Sequence, residues 1–482
     1  MMKRNIAILL VLTLLATCIA GNSDAQFWKR KSKRRHAKNA TDQNNQQADS
    51  TQTKLTKHER KAEKKKEKKD RKKQKHELKH ERKENKKKLA NEKKHPHVQV
   101  VAAPVTVVRQ KQEIQYPQSQ LKTRYRVDVL ASLYLDDFAK NGSTAYTDRI
   151  PGKAMPGISF YEGLNIAADS LKKAGFSFDI YVHDVASSTE SVAMLIKSGT
   201  LDATDLIIGA LQTQDVPMIA GYAKKKQVNF ISALSASDAG VKDNEYYTIL
   251  QPTMKTYCQW IAGDIKQKFT GMNVTLLCRT SSSADETVFN YLINDTAVKV
   301  NYKQLLCNAM PSKDNLASLF DTTKSNIVVV AVLDTKYADS LLKQLSQSFP
   351  ATHFEVYGMP SWSGIGSLRK EGVFPNLTVR VPMPFNIDQT GGVGKYVARM
   401  YKEDYGGKAP EMAYRGFEAM FWYANLLKHY GTIFNLKYED NSSAPFTRFD
   451  IKPEWDNEGN FLFYENKHVF LSKYENGVYG VE

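Results

Sequence analysis

The sequence predicts an α/β protein whose folded part holds two lobes, each a parallel sheet covered by helices on both faces, behind a basic tail with no core of its own. Three observations predict it. The 482 residues carry a net charge of +18, and residues 26–100, with 28 Lys and Arg against 10 Asp and Glu, account for it, so the rest of the chain is close to neutral. About 380 residues of ordinary composition then remain, too many for one core and enough for two packed lobes. From Tyr125 onward apolar strand-like runs alternate with amphipathic helical ones, and the alternation restarts near Met254.

Lys3 and Arg4 precede an apolar run from Ile6 to Ala20, and Ser23 and Ala25 stand where a leader cleavage site wants small residues, so residues 1–25 read as a signal peptide. The rival reading is a lipoprotein, because Leu15, Ala16, Thr17 and Cys18 resemble a lipobox with Thr before the Cys. The apolar run is shorter than the ~20 residues that span a bilayer. The expected protein is exported, periplasmic or held at the cell envelope, with a lipid anchor at Cys18 as the alternative to a cleaved leader.

Residues 26–121 form a low-complexity tail and linker. Between 27 and 97 stand Lys, Arg, Glu, Gln, Asn and six of the ten His, with few apolar residues, so the segment cannot fold alone. Lys/Glu pairing from Lys57 to Lys94 favours a frayed, solvated helix, which makes the tail disordered or loosely helical. The bland reading is a charged spacer; the functional one is adhesion to an anionic envelope surface. Nucleic acid is not an expected partner, since export removes it and no aromatics are interleaved for base stacking. The histidines lack paired spacing and thiol partners, so no metal or other cofactor is expected. Residues 104–120, rich in Val, Pro and Gln, read as a linker into a domain over 122–482.

In that domain the pattern predicts a strand at 126–135, a helix at 158–174 stopped by Gly175, a strand at 176–185, a helix at 187–198 capped by Ser188, a strand at 206–210, a helix at 216–227 and a strand at 228–233. Strand–helix alternation of this kind implies a parallel sheet. The second round predicts helices at 254–270, 285–294, 316–324 and 336–348 and strands at 274–278, 298–306, 327–333 and 354–358. An extended stretch at 377–384, helices at 392–405 and 412–430, and strands with two turns over 446–482 complete the chain.

The run GLNIAADSLKKAG from Gly163, IYVHD from Ile180, SVAMLI from Ser191, DLIIG from Asp205, and the stretch from Pro217 to Ser232 resemble, in order and spacing, the first lobe of type I periplasmic binding proteins. The resemblance is to the branched-chain amino-acid (Leu/Ile/Val-binding) components of ABC transporters. YTILQP from Tyr247 looks like that family's passage into the second lobe, and AYRGFEAM from Ala413 like one of its helices. The resemblance covers about 122–482. It implies two doubly wound lobes joined by a three-crossing hinge, lobe one about 122–247 and 380–445, lobe two about 248–379 and 446–482, closing on a ligand at the carboxyl ends of the strands.

Ser232 and Ser235 match the family segment whose hydroxyls and backbone N–H groups grip an amino-acid carboxylate; a plain Ser-rich turn is the alternative. Where the family generally has Gly-Pro and then Ser, this chain has Ala210, Gln212 and Thr213. Tyr247 stands at the passage between lobes, as ligand contact or as structural aromatic, and Arg279 follows a strand where it would meet an anion. The candidate ligand-binding set is Thr213, Ser232, Ser235 and Arg279, then Gln212, Tyr247 and Asp334. No catalytic motif occurs: His183, His353, His429 and His468 are dispersed, and the GG at Gly391 and Gly392 lacks the Lys-Ser/Thr of a phosphate loop. Cys278 and Cys307 end consecutive expected strands and admit one optional disulfide, with buried thiols as the default.

Two functions follow from the resemblance. One is an extracytoplasmic solute-binding protein for a small polar ligand, an amino acid or a relative, serving ABC transport or sensing without chemistry of its own. The other is a cell-envelope scaffold that reuses the fold, as some regulators of peptidoglycan synthases look to do. The expected partners are the small ligand, an ABC permease or the peptidoglycan machinery, and an anionic surface for the tail.

Overall fold

The computed structural model describes residues 113–140, 143–144, 150–294, 297–321 and 324–482. The expected signal peptide, Cys18 and the basic tail up to residue 112 lie outside the described residues. Lobe one is built on β1 (Tyr125–Ala131), α1 (Met155–Lys173), β4 (Phe178–Asp184), α2 (Val192–Lys197), β5 (Leu206–Ala210), α3 (Val216–Lys226), β6 (Asn229–Ser232) and β7 (Tyr247–Ile249), with a small hairpin β2 (Ala139–Lys140) and β3 (Ser143–Thr144) after β1. Lobe two follows as α4 (Met254–Lys268), β8 (Val274–Arg279), α5 (Ser283–Asn294), β9 (Tyr302–Cys307), α6 (Lys313–Ala317), β10 (Asn326–Ala331), α7 (Thr335–Ser348), β11 (Phe354–Tyr357) and β12 (Leu377–Met383). The chain returns to lobe one for α8 (Gly392–Tyr405), α9 (Glu411–Tyr430), β13 (Ile451–Trp455) and β14 (Phe461–Asn466), then ends in lobe two with β15 (Phe470–Glu475) and β16 (Val478–Val481).

Each lobe has one seven-stranded sheet, in the orders β13-β14-β7-β6-β5-β1-β4 and β16-β15-β12-β11-β10-β8-β9. Every residue of β5 and of β10 is buried, as unbroken apolar runs in a parallel sheet covered on both faces require. The strand order reverses between β1 and β5 in lobe one and between β8 and β10 in lobe two, and such switch points open a crevice at the carboxyl ends of the strands. The backbone crosses between lobes three times, near residues 250–253, 384–391 and 467–469.

The residues that carried the resemblance prove to be packing residues. A Cβ on Gly163 of α1 would stand 1.7 Å from the Ala413 carbonyl oxygen of α9, and one on Gly416 of α9 would stand 1.9 Å from the Phe160 carbonyl oxygen of α1. The two helices therefore touch backbone to backbone, which only glycine permits.

Several expectations are corrected. Residues 446–466, expected in lobe two, extend the sheet of lobe one: Tyr464 lies beside Thr248 in a parallel pair, and Phe461 and Tyr464 join the lobe-one core. Strand periodicity is the same whichever sheet a strand joins. All of β12 belongs to lobe two, so the boundary expected at 380 falls inside a strand. β1 stops at Ala131 because the Asp184 carboxylate accepts the N–H groups of Leu133, Tyr134 and Leu135, withdrawing them from any ladder. The helix expected over 187–198 shrinks to α2, since Asp136 takes the Ser188 N–H at 2.7 Å. The helix expected over 316–324 is replaced by α6 at 313–317, because the Asn326 side chain ties the Asp321 N–H and the carbonyls of Asp321 and Lys324 into a turn.

The domain also begins before residue 122. Ile114 and Tyr116 pack on the lobe-one core. The Tyr116 hydroxyl pairs with that of Tyr464 at 2.9 Å, and Ser119 Oγ donates to the Tyr430 carbonyl while accepting the Ile433 N–H at 3.0 Å. Residues 113–121 are thus a strap on lobe one rather than a spacer. Among the described residues no disulfide forms. The parallel register puts Cys278 opposite Leu306 and Cys307 opposite Arg279, so the two thiols leave opposite faces of the sheet.

Candidate ligand-binding cleft

The switch point of lobe one is shaped by Asp184, buried at the end of β4. Its carboxylate accepts from Leu133 (2.9 Å), Tyr134 (3.1 Å), Leu135 (2.7 Å) and Ala186 (3.1 Å), so an internal anion fills the backbone nest that a ligand anion would otherwise seek. The nest forces Tyr134 into the left-handed region at φ 55°, a costly conformation for a bulky residue and one that gathers at functional sites. The Lys153 ammonium sits 4.2 Å from the Tyr134 ring centre and 2.8 Å from Asp137. The sequence carries no signal for Tyr134, because its backbone is set by a carboxylate 50 residues away.

On the loops that follow β5 and β6, Thr213 Oγ1 and Ser235 Oγ lie 3.1 Å apart, so these two expected residues meet. Gln212, exposed, precedes the short turn Thr213–Asp215 that leads into α3. Ser232 closes β6 and is buried. Tyr247 is placed in the core: it is fully buried, stacked on Phe230 with ring centres 5.4 Å apart, and its hydroxyl donates to the Ser237 carbonyl at 3.3 Å.

The switch point of lobe two is ionic. Arg279, the last residue of β8, donates through Nε to Asp285 at 2.9 Å and through Nη1 to Asp334 at 3.3 Å, with its guanidinium 5.1 Å from the Tyr337 ring centre. Asp285 is fully buried and also accepts the Leu333 N–H at 2.9 Å. Asp334 caps α7, accepting from the N–H groups of Lys336 and Tyr337, and those two bonds, with Arg279 behind them, hold its carboxyl below the ordinary carboxylate range. One cation thus stands between two carboxylates. Arg279 has no charge left over for a ligand anion, whereas the half-exposed Asp334 carboxylate suits a ligand ammonium.

The turn after β11 closes over this end of the sheet. Met359 and Trp362 are fully buried in the lobe-two core, the Trp362 Nε1–H donates to the Val332 carbonyl at 2.8 Å, and a Cβ on Gly358 would meet the indole at 2.2 Å. Leu234 is partly buried against the lobe-one core. An open groove of about 430 Å³ between α2 and α3, lined by Lys197, Asp202, Met218, Tyr222 and Lys226 among others, lies at the opposite, amino end of the strands. Among the described residues no cluster of His, Cys, Asp and Glu could hold a metal, and no helix is long and apolar enough to cross a membrane.

No protein-family model matches the sequence, and no curated protein does. Solved structures do. A protein from Rhodospirillum rubrum described as a branched-chain amino acid ABC transporter is 14% identical, with a TM-score of 0.53 over 74% of this chain and 99% of that one. The C-domain of LpoA from Haemophilus influenzae, described as a regulator of PBP1A, is 13% identical with a TM-score of 0.49 over 74% and 99%. An ABC transporter substrate-binding protein from Desulfitobacterium hafniense in complex with Leu is 14% identical with a TM-score of 0.47 over 74% and 100%. At these identities the likeness, carried by the Rhodospirillum rubrum protein, shows the fold alone: two α/β lobes of the type I periplasmic binding kind.

Proposed function

We propose that this chain is an exported solute-binding protein that captures a small zwitterion, an amino acid or a relative, between its lobes for ABC transport or sensing. The observation that carries the reading is the chemistry of the two switch points. Lobe one offers the paired hydroxyls of Thr213 and Ser235 and, on the loop after β1, the strained Tyr134, and lobe two offers the half-exposed carboxylate of Asp334 on a net-negative Arg279–Asp285–Asp334 triad. Hydroxyls suit a ligand carboxylate and Asp334 its ammonium; Arg279 then orients Asp334 rather than meeting an anion, and Ser232 and Tyr247 support the loop from below.

The test is a thermal-shift screen of the mature chain with amino acids, short peptides, muropeptides and sugars. A ligand that binds only the folded state raises Tm by mass action, and Asp334→Asn should abolish the rise while leaving the unliganded Tm nearly unchanged. No rise with any compound at millimolar level sinks the reading.

The envelope-scaffold reading is favoured by one specific observation: Arg279, Asp184 and Trp362 are satisfied within the chain, as in a cleft that has ceded its ligand. In that reading the basic tail adheres to anionic envelope material. Its deletion should lower retention on envelope fractions in a salt-sensitive way, and equal retention removes the adhesion role.

A further inference from the structure

Among the described residues the two large sheets have four free edges, β13 and β4 in lobe one and β16 and β9 in lobe two. A free edge presents unpaired N–H and C=O groups, which proteins blunt with charge, Pro or a bulge. Three of the four are blunted in this way. β4 carries Asp179 and Asp184, β9 carries Lys303, and β13 carries Lys452, Pro453 and Glu454 with a shift of register after Pro453. β16 holds no charged residue, no Pro and no shift of register. All four of its residues are exposed, Val478 at 71%, Tyr479 at 45% and Val481 at 36%.

The register fixes which backbone groups of β16 stay unpaired. Glu482 donates its N–H to the Leu471 carbonyl at 2.8 Å, and Gly480 stands opposite Lys473 and Val478 opposite Glu475. Hydrogen-bonded pairs alternate along an antiparallel ladder, so Gly480 and Val478 bond to β15 while the N–H and C=O groups of Tyr479 and Val481 point away from the sheet. Those groups are complementary to a rotated copy of themselves. A second β16 laid antiparallel about a twofold axis through Gly480 sets Tyr479 opposite Val481 of the partner subunit and Val481 opposite the partner's Tyr479, which makes four hydrogen bonds and leaves none of these groups over. The same register forms two aromatic–β-branched pairs on one face, a favourable cross-strand combination. Tyr479 is already set for it: its ring lies 5.3 Å from that of Tyr474, and the Arg369 guanidinium stands 5.5 and 5.9 Å from the two ring centres. The axis falls where the strands come closest, on a residue with no side chain, and nothing lies within 4 Å of where a Cβ of Gly480 would stand.

We propose that β16 is a dimerisation edge, on which a second copy of this chain pairs antiparallel and joins the lobe-two sheets of both copies into one. The match of the outward donors and acceptors to their own rotated copy commits the edge to this partner rather than to a strand of another sequence. One short strand from each side makes the contact, so the dimer is weak and forms with rising concentration. The proposal does not depend on the solute-binding reading.

The test is sedimentation velocity of the mature chain from micromolar to millimolar concentration, in enough salt to screen the repulsion between two basic tails. The expected result is a monomer–dimer equilibrium. Val481→Pro removes an N–H that faces away from β15, so it spares the fold of lobe two and deletes two of the four bonds of the symmetric pair; it should raise the dissociation constant about tenfold or more. Tyr479→Lys and Val481→Glu should each weaken the dimer. An equimolar mixture of those two variants should associate more tightly than either alone, because the introduced charges then face each other across the axis. If Val481→Pro does not fold, the mixing experiment still decides. A chain that stays monomeric throughout the range, a dimer that Val481→Pro leaves unchanged, or a mixture no tighter than its components overturns the proposal.

Discussion

Glu418→Gln isolates one titration of the folded chain. Glu418 sits on α9, 1% exposed, and accepts the N–H and hydroxyl of Thr447 at 2.5 and 3.2 Å. Burial pushes its carboxyl from an ordinary 4.5 up to about 7, against the opposing pull of Thr447 and of Arg415. The folded state therefore keeps the proton over an interval in which the unfolded chain releases it. The stability this contributes is fully present below 4.5 and is lost as pH rises through about 7. At ~1.4 kcal/mol for each tenfold difference in proton affinity between the folded and unfolded chain, the loss amounts to about 3 kcal/mol across that interval. Gln keeps the shape and an acceptor for the Thr447 N–H but does not titrate. The assay is urea unfolding of the wild type and Glu418→Gln, followed by far-ultraviolet circular dichroism, from about pH 4.5 to about pH 8. The wild type should lose about 3 kcal/mol relative to the variant as pH rises, with most of the change between pH 5 and 7. Profiles that stay parallel over the whole range refute the buried, protonated carboxyl.

Ala at Gly163 or Gly416 should cost about 2 kcal/mol or more by forcing α1 from α9, and an unchanged urea midpoint would show that the helices do not touch. A chain starting at residue 122 should melt lower than one starting at 113, by about 2 kcal/mol for the lost Ile114 and Tyr116 contacts; equal melting would make the strap a bystander. Arg279→Ala strands the fully buried Asp285 and should destabilise the chain by about 3 kcal/mol, most of it recovered in Arg279→Ala/Asp285→Ala, and no recovery in the double variant would refute the pairing.

What the sequence determined by itself is whatever depends on neighbours along the chain. The α/β class, the restart at Met254, the helices Met254–Lys268 and Gly392–Tyr405 and the strand Leu206–Ala210 follow from periodicity, caps and breakers, which are local properties of the chain. The loops of the candidate site were legible too, since strand ends at a switch point follow from the order of elements. Only tertiary structure decided how those loops are used. Arg279 is held by Asp285 and Asp334, 6 and 55 residues on; Tyr134 is strained by Asp184; Tyr247 lies under Phe230; β14 chose the lobe-one sheet beside β7; and Tyr116 closes against Tyr464. An arginine at a strand end has the same local pattern whether its partner is a ligand or a carboxylate of its own chain. The choice rests on contacts far apart in sequence, whose free energy is realised only once both lobes have packed.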